Sequence, residues 1–390
     1  WWTPNDRRLE SNAIGTHEFL ELCEMIGAKP YFAANISSAT PLYIRSWMDY
    51  CLSAEGSTAL AQERGRNGHP APFNIPYWGV GNESWGDGGD MTPEYYANEF
   101  RRYAVVMNNM APDAELFACG PGAEDYRWTQ EVMRAVAPSQ CHIDGFAIHY
   151  YCGSAGNPLS FTQQEWTQML LQAQTMERVI VRNWNIICGF GMENRVKLVV
   201  DEWGCWYPDG SGPSEGYNLF EQQSTMRDAM VAALTLNIFN RHCDKVRMAN
   251  VAQLVNNLHC LFLADGDKFT VTPTYYVFNL FKGHQGADAI ETIVTENTEF
   301  ASGLSVSASV KDGRTLVTVG NLSCTEDAEF QLDSVGGGLS RTGIASLLAS
   351  DDPHAHNTFE SPEAVMSTNF VSDPAKPVTI PKAGIVALSF

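Results

Sequence analysis

Six short apolar runs, each closing on polar or aromatic residues, constrain this 390-residue chain more than any other feature. They are KPYFAANI (29–36), IPYWGVGNE (75–83), AELFACGP (114–121), DGFAIHYY (144–151), KLVVDEW (197–203) and NVAQLVN (250–256). Their apolar residues do not alternate with polar ones, so both faces of each strand must be buried, as in a parallel sheet covered by helices. Helix signals lie between them. Thr16 can cap a helix with Phe19, Leu22, Cys23 and Ile26 on one face, and Thr92-Pro93 can start a helix running from Glu94 to Met110. Gln163–Arg182 and Phe220–Asn240 read as two more helices. Alternating strands and helices predict a parallel α/β sheet. A doubly wound sheet concentrates its functional residues at one switch point, whereas here polar endings recur after nearly every strand. That recurrence predicts a (β/α)8 TIM barrel with its active site at the C-terminal rim of the strands. Only six βα units are countable against the barrel's eight, so the first two strands are expected to be missing from a chain that starts at Trp1 without a signal peptide.

After about Glu291 the pattern changes to short alternating strands. LSVSASV (304–310) and TLVTVGNL (315–322) flank an Asp312-Gly313 turn, and AEFQLDSV, KPVTIP and GIVALSF continue to the C-terminus. A C-terminal antiparallel β-sandwich is expected, with Gly336-Gly337-Gly338 and 350–362 as loops. The predicted organisation is a partial catalytic barrel over 1–288 and a sandwich over 289–390.

Net charge is −20, and no cluster of Lys and Arg is present to neutralise phosphates, which excludes nucleic acid as a partner and suits a neutral ligand. No apolar run approaches the roughly 18 residues that span a bilayer, so no membrane partner is expected. The ten cysteines form no CxxC pair and lie mostly in apolar stretches, so they read as reduced thiols packed as small hydrophobes in a reducing, cytoplasmic compartment. The sequons at Asn35, Asn82 and Asn321 are read as accidental.

Two carboxylates stand at strand ends: Glu83 in GNE and Glu202 in DEW. Three barrel strands apart, they would face each other across the mouth, and carboxyl groups roughly 5–5.5 Å apart suit retaining glycoside hydrolysis. The competing reading is two ordinary structural ion pairs. Trp78, Trp85, Trp203, Trp206, Tyr150 and Tyr151 lie near the same rim, where aromatic faces can stack on sugars; core packing is the alternative for Trp78 and Trp203. Other templates fail. GVGNES lacks the third glycine of a dinucleotide loop. Gly212–Gly216 matches GxSxG only by letter, in a polar loop. His149, His242 and His259 have no metal-ligand spacing. His149 is left as a rim hydrogen-bonder to substrate or a buried structural histidine.

NAIGTHEFLELCEMIGAKPYFAANI, YWGVGNES, FAIHYY, VVDEWGCWY and VRMANVAQLVN, in this order from Asn12 to about Gly286, resemble the successive motifs of glycoside hydrolase family 51, the α-L-arabinofuranosidases. The resemblance implies a retaining enzyme with Glu83 as acid/base and Glu202 as nucleophile. Asn82 would bond the sugar hydroxyl beside the reacting carbon, Tyr151 would orient the nucleophile, and Trp206 and Gln253 would line the pocket. No cofactor is implied, because two carboxylates suffice. The expected reaction is exo-acting removal of arabinose from arabinoxylan, arabinan or their oligosaccharides. Alternatives are a β-xylosidase or endo-β-glucanase on the same scaffold, decided by the loops 152–162 and 207–219, and an inactive carbohydrate-binding fragment. A homo-oligomer is expected, with Trp184 and Met192 as exposed-looking interface residues. The chain departs from the family where DEWGCWY replaces DEWNVWY and NAIGT replaces NEFGT.

Overall fold

The computed structural model describes residues 2–3, 8–9, 12–153, 155–207, 212, 220–295, 303–335, 339 and 342–390. The chain divides into two compact units, Trp1–His149 with Val179–Asp201, and Tyr150–Arg178 with Glu202–Phe390. The division falls inside two strands.

Six strands form one sheet in chain order: Tyr31–Ala34, Tyr77–Val80, Glu115–Ala118, Gly145–Cys152, Lys197–Cys205 and Val246–Val251. The first four pair in parallel, with Tyr31 opposite Tyr77, Tyr77 opposite Glu115 and Phe117 opposite Gly145. Each connection carries a helix, as parallel pairing requires. Every residue of Tyr77–Val80 is buried, which is why that run shows no alternation. The sixth strand corrects the sequence reading. It ends at Val251 rather than running through 250–256, so Gln253 lies in the loop beyond it.

In the first unit, α1 (Thr16–Ile26) starts one residue earlier than expected. Gly15 is its N-cap, and the Glu18 carboxylate accepts from the Gly15 N–H at 2.9 Å. Its buried residues are Leu20 and Cys23; Leu22 and Ile26 are exposed. α2 (Pro41–Leu52) and α3 (Ala59–Arg66) carry Thr40 and Thr58 caps, each accepting from the N–H three residues on. α4 (Pro93–Met110) starts after Thr92, as its Thr-Pro signal predicts. α5 (Tyr126–Val136) is capped by Asp125.

α6 (Gln163–Gly189) runs a further two turns beyond Arg182. In the second unit, α7 (Met226–Arg241) begins after a Thr225–Asp228 capping box, so Phe220–Thr225 is not helical. Nearly all of α7 is buried, because it packs on strands from the C-terminal part: Asn237 Nδ2 donates to the Ser305 carbonyl at 3.1 Å and Asn240 Nδ2 to Ser307 Oγ at 3.0 Å. α8 (Pro273–Phe281) completes the helices described.

The C-terminal strands make an antiparallel sheet in the order 288–290, 304–311, 314–321, 385–389, 343–348, 367–372, together with a separate 328–330/378–380 pair. Ala308, Val317, Val319, Ala345, Val378, Ile380, Val386 and Leu388 form the core between the two sheets. Strands 343–348 and 367–372 carry no clear alternation in sequence; pairing with 385–389 and with each other makes them strands. The 350–362 segment is irregular, whereas Gly336–Gly338 lies outside the described residues. Among the described residues, no helix is long and apolar enough to cross a membrane.

Candidate active site

In the first unit the strand Tyr77–Val80 delivers Gly81, Asn82 and Glu83 into a tight turn. The Glu83 carbonyl accepts from the N–H groups of Gly86 at 2.8 Å and Gly88 at 3.1 Å. A Cβ on Gly88 would lie 1.7 Å from the Asn82 carbonyl oxygen, so only glycine closes this turn. Glu83 itself has φ +44, a left-handed conformation that is uncommon outside glycine and asparagine. Asn82 is exposed on the turn. Trp85 is half-buried, and its indole N–H donates to the Gly120 carbonyl at 3.2 Å.

The Glu83 carboxylate meets the buried imidazole of His149, with Oε1 at 2.8 Å from Nδ1. On the other side of the ring, Nε2 stands 3.2 Å from Asp201 Oδ1. That second approach lies off the hydrogen-bond axis, since Oδ1 has no aligned partner among the described residues. Asp201 Oδ2 accepts from the Tyr31 hydroxyl at 3.0 Å. Side chains from three strands and from the turn after a fourth are thereby joined in one row, Glu83–His149–Asp201–Tyr31. The Tyr31 pKa is pushed well above the ordinary tyrosine value by burial of its hydroxyl and then by the Asp201 charge.

In the second unit the strand that carries Asp201 continues to Glu202. Glu202 Oε2 accepts from the Tyr151 hydroxyl at 2.7 Å. The Trp206 ring stands edge-on to Tyr151, centroids 5.0 Å apart, and edge-on to Phe220 at 5.2 Å. Trp206 keeps 38% of its surface exposed, so an aromatic face is held open next to the carboxylate's tyrosine. Gln253 is also exposed. Its backbone N–H donates to the Asn257 carbonyl at 3.1 Å, and its Oε1 accepts from Asn257 Nδ2 at 3.2 Å. The Ala252–Gln253 peptide is cis, and the Ala252 N–H donates to the Trp203 carbonyl at 3.0 Å, tying this loop to the Glu202 strand.

Some residues proposed from sequence are elsewhere. Trp78 and Trp203 are 0% and 1% exposed, packed on Phe32 and Trp47 and on Phe239, His259 and Phe278, so neither is a sugar platform. Tyr150 is buried, with its hydroxyl spent on the Gln172 carbonyl. Of the loop 207–219 only Tyr207 and Gly212 are among the described residues, so most of the GxSxG match lies outside them.

Gly204 and Cys205 serve the interior. A Cβ on Gly204, at φ +148, would meet His259 Cβ at 2.6 Å. His259 Nδ1 accepts from the Cys205 N–H at 3.2 Å, and Nε2 lies 3.0 Å from the Asp228 carbonyl. Cys205, Asp228 and His259 have ligand atoms within 4.8 Å of one another, yet both imidazole nitrogens are held by backbone groups. The Asp228 oxygens take Tyr207 and Thr225. This is a saturated hydrogen-bond knot rather than a metal centre. Burial pushes the Cys205 thiol up and the His259 imidazole down.

The reading of strand ends missed Tyr31, which lies at the start of its strand. Asp201 stood beside Glu202 in the DEW motif but was passed over. The signal for both was Gly79, whose absent side chain makes room for the tyrosine: a Cβ there would lie 2.7 Å from the Tyr31 hydroxyl.

Comparison with known proteins matches residues 1–165 to the α-L-arabinofuranosidase 1 domain and 201–383 to the α-L-arabinofuranosidase C-terminal domain. An intracellular exo-α-L-arabinofuranosidase of Bacteroides ovatus is 33% identical over 97% of this chain and 76% of its own length. The α-L-arabinofuranosidase C of Emericella nidulans is 29% identical, covering 97% of this chain and 78% of the relative. The crystal structure of the GH51 arabinofuranosidase from Xanthomonas axonopodis pv. citri superposes with a TM-score of 0.88 at 34% identity, over 98% of this chain and 80% of that one. At 24% identity, the α-L-arabinofuranosidase of Thermotoga maritima shares the fold, with a TM-score of 0.82 over all of this chain and 81% of its own. This chain belongs to glycoside hydrolase family 51, the α-L-arabinofuranosidases.

Proposed function

We propose that this protein is a retaining, exo-acting glycosidase that releases α-L-arabinofuranosyl residues from arabinoxylan, arabinan or their oligosaccharides. Glu202 attacks the anomeric carbon while Glu83 gives its proton to the leaving oxygen, producing a covalent arabinosyl ester on Glu202. Glu83, now a carboxylate, takes a proton from water as that water opens the ester, and both glutamates return to their starting states. The observation that carries this reading is the Tyr151 hydroxyl at 2.7 Å from Glu202 Oε2. That hydroxyl holds the carboxylate in one orientation, as a nucleophile's must be held. Asn82, Trp206 and Gln253 supply sugar contacts and edges in this scheme, and His149 stands against Glu83. No metal or organic cofactor takes part in it.

Similarity to the intracellular enzyme of Bacteroides ovatus supports an intracellular location. Assembly as a homo-oligomer rests on the resemblance alone. Met192 is 2% exposed and Trp184 is half-buried under the Lys197 ammonium, 4.7 Å from its ring, so they form no exposed patch. Light scattering measures the assembly.

Glu83→Ala and Glu202→Ala test the roles on a nitrophenyl α-L-arabinofuranoside. Each should lower kcat by about 10³-fold or more, in keeping with loss of a nucleophile or general acid. Azide should restore Glu202→Ala with an inverted glycosyl azide and Glu83→Ala with a retained one. Wild-type activity in both variants overturns the assignment. Release of xylose or cleavage of β-glucan in place of arabinose would move the substrate.

A further inference from the structure

Beyond the two glutamates, the first unit holds an arrangement that the double-displacement scheme does not use. His149 lies between two carboxylates, and Tyr31 reaches Asp201 from the first strand of the sheet. Asp201 is enclosed, with a tenth of its side chain exposed, and its Oδ1 faces the imidazole with no aligned hydrogen bond of its own. The phenol is steered there. Gly79 vacates the space its hydroxyl occupies, and the Phe117 ring meets it edge-on with centroids 5.3 Å apart. The titratable groups around Asp201 and Tyr31 are Glu83, His149, Tyr96 and Cys119, with Glu202 next in the chain. The Tyr96 hydroxyl and the Cys119 thiol are both pushed upward by burial and stay neutral, so they do not supply a competing charge.

We propose that Asp201 and Tyr31 are positioning residues that set the tautomer of His149 and thereby keep the Glu83 proton in place for the leaving group. The inference rests on the acid/base role proposed for Glu83. Tyr31 donates to Asp201 Oδ2 and stays protonated across the working pH range, so Asp201 is held as an acceptor. The Oδ1 charge, 3.2 Å from Nε2, then favours a proton on that nitrogen through its field, without an aligned hydrogen bond. A neutral imidazole with its proton on Nε2 has a lone pair on Nδ1. At 2.8 Å from Nδ1, Glu83 can satisfy that lone pair only as the carboxylic acid, O–H donating to N. The acid form, which the first step consumes, is therefore the one favoured in the resting enzyme. After proton transfer the Glu83 carboxylate faces a lone pair, which favours its taking a proton from water in the second step. With Asp201 replaced by asparagine, the amide can donate to Nε2, the ring proton moves to Nδ1, and Glu83 is held ionised.

Asp201→Asn and Tyr31→Phe are compared with wild type on an activated aryl arabinofuranoside and on a poor leaving group such as an arabinosylated xylo-oligosaccharide. General-acid assistance contributes about 10²–10⁴-fold, and it matters little for an activated phenolate, so Asp201→Asn should lose about 100-fold on the oligosaccharide and less than about 10-fold on the aryl substrate. The alkaline limb of kcat/KM should move to lower pH in both variants. Tyr31→Phe keeps the ring and removes one oxygen, so it should fold even where Asp201→Asn does not, with a loss of about tenfold on the poor leaving group. Equal losses on both substrates with an unmoved alkaline limb overturn the inference and leave Asp201 as a structural carboxylate. Glu83→Ala run in parallel separates the two levels. If its loss in kcat/KM, which reports the first step, does not depend on the leaving group, the acid/base reading itself fails; if it does and the two positioning variants show no such dependence, only the relay fails.

Discussion

Replacing Arg64 should unfold one corner of the first unit, and the cost can be worked from its bonds. Arg64 is 0% exposed, and no carboxylate is among its hydrogen-bond partners. Its donors go instead to backbone carbonyls: Nε to His69 at 3.0 Å, Nη1 to Tyr50 at 2.7 Å and Cys51 at 3.2 Å, and Nη2 to Ser53 at 2.9 Å and Pro70 at 2.7 Å. Three of those carbonyls lie at the C-terminal end of α2, where helix geometry leaves C=O groups without partners and the macrodipole is negative. The guanidinium therefore caps α2 from α3 and fastens the 69–70 loop in the same fork. Cys51 keeps a second partner in the Phe73 N–H, so four carbonyls depend on Arg64. Those four bonds are part-buried, so each lost one is taken at the low end of the about 1–3 kcal/mol for an orphaned carbonyl, which puts Arg64→Met near 4 kcal/mol at most. Arg64→Lys keeps the charge but has three donors and no planar fork; two lost bonds to a cation make about 3 kcal/mol. Because the chain has two units, a single unfolding transition is not assured. Hydrogen exchange of the α2 and α3 amides is the direct assay, with protection falling by about 10²–10³-fold in both variants. Protection unchanged within about tenfold in Arg64→Met would refute the capping argument.

Two other perturbations follow from single side chains. Burial holds the His284 imidazole down, to about 4 from an ordinary 6.5, between Ser309 and Thr318. Its folded pKa lies below the unfolded one, so its contribution is complete above pH 6.5 and is lost as pH falls toward 4. Allowing for part exposure of the ring, the loss is about 2 kcal/mol. It should vanish in His284→Asn, as read by denaturation at pH 4.5 and 7; identical pH slopes in the two proteins would count against it. Tyr151→Phe removes the hydroxyl that fixes Glu202, and a bond to a charged acceptor is worth about 1.5–3 kcal/mol, so kcat should fall about 10–100-fold with little change in KM. Unchanged kcat would mean that Glu202 is oriented by something else.

Local chemistry alone marked much of the molecule. Proline at the first helical position after a threonine fixed the start of α4, because the ring pre-sets φ and the threonine takes a free N–H. Both-face burial showed as uninterrupted apolar runs, and the Asp312-Gly313 turn showed between alternating strands. The strand-end glutamates could be picked out because an ionisable residue directly after a buried run has few structural reasons to be there. Boundaries set by packing were not legible. Nothing local stops α6 at Arg182, and nothing local says that Gln222–Ser224 stays extended while α7 waits for the Thr225–Asp228 box. The sixth strand slipped upstream for the same reason, since VRMANV and NVAQLVN are equally plausible strands until neighbours choose between them.

The sequence by itself determined the order of strands and helices, the two candidate glutamates and the family, because periodicity, caps and motifs are properties of residues close together in the chain. Only the tertiary structure decided which aromatic residues are core and which face outward: Trp78 lies within a β-run and Trp206 just after one, yet one is sealed among rings and the other is 38% exposed. It also decided what Glu83 touches. His149 is 66 residues away in sequence, and Tyr31 and Asp201 are separated by 170, so no window of sequence holds the row that they form. A hydrogen bond is set by a distance of about 3 Å in space, and chain separation carries almost no information about that once strands from distant segments lie side by side.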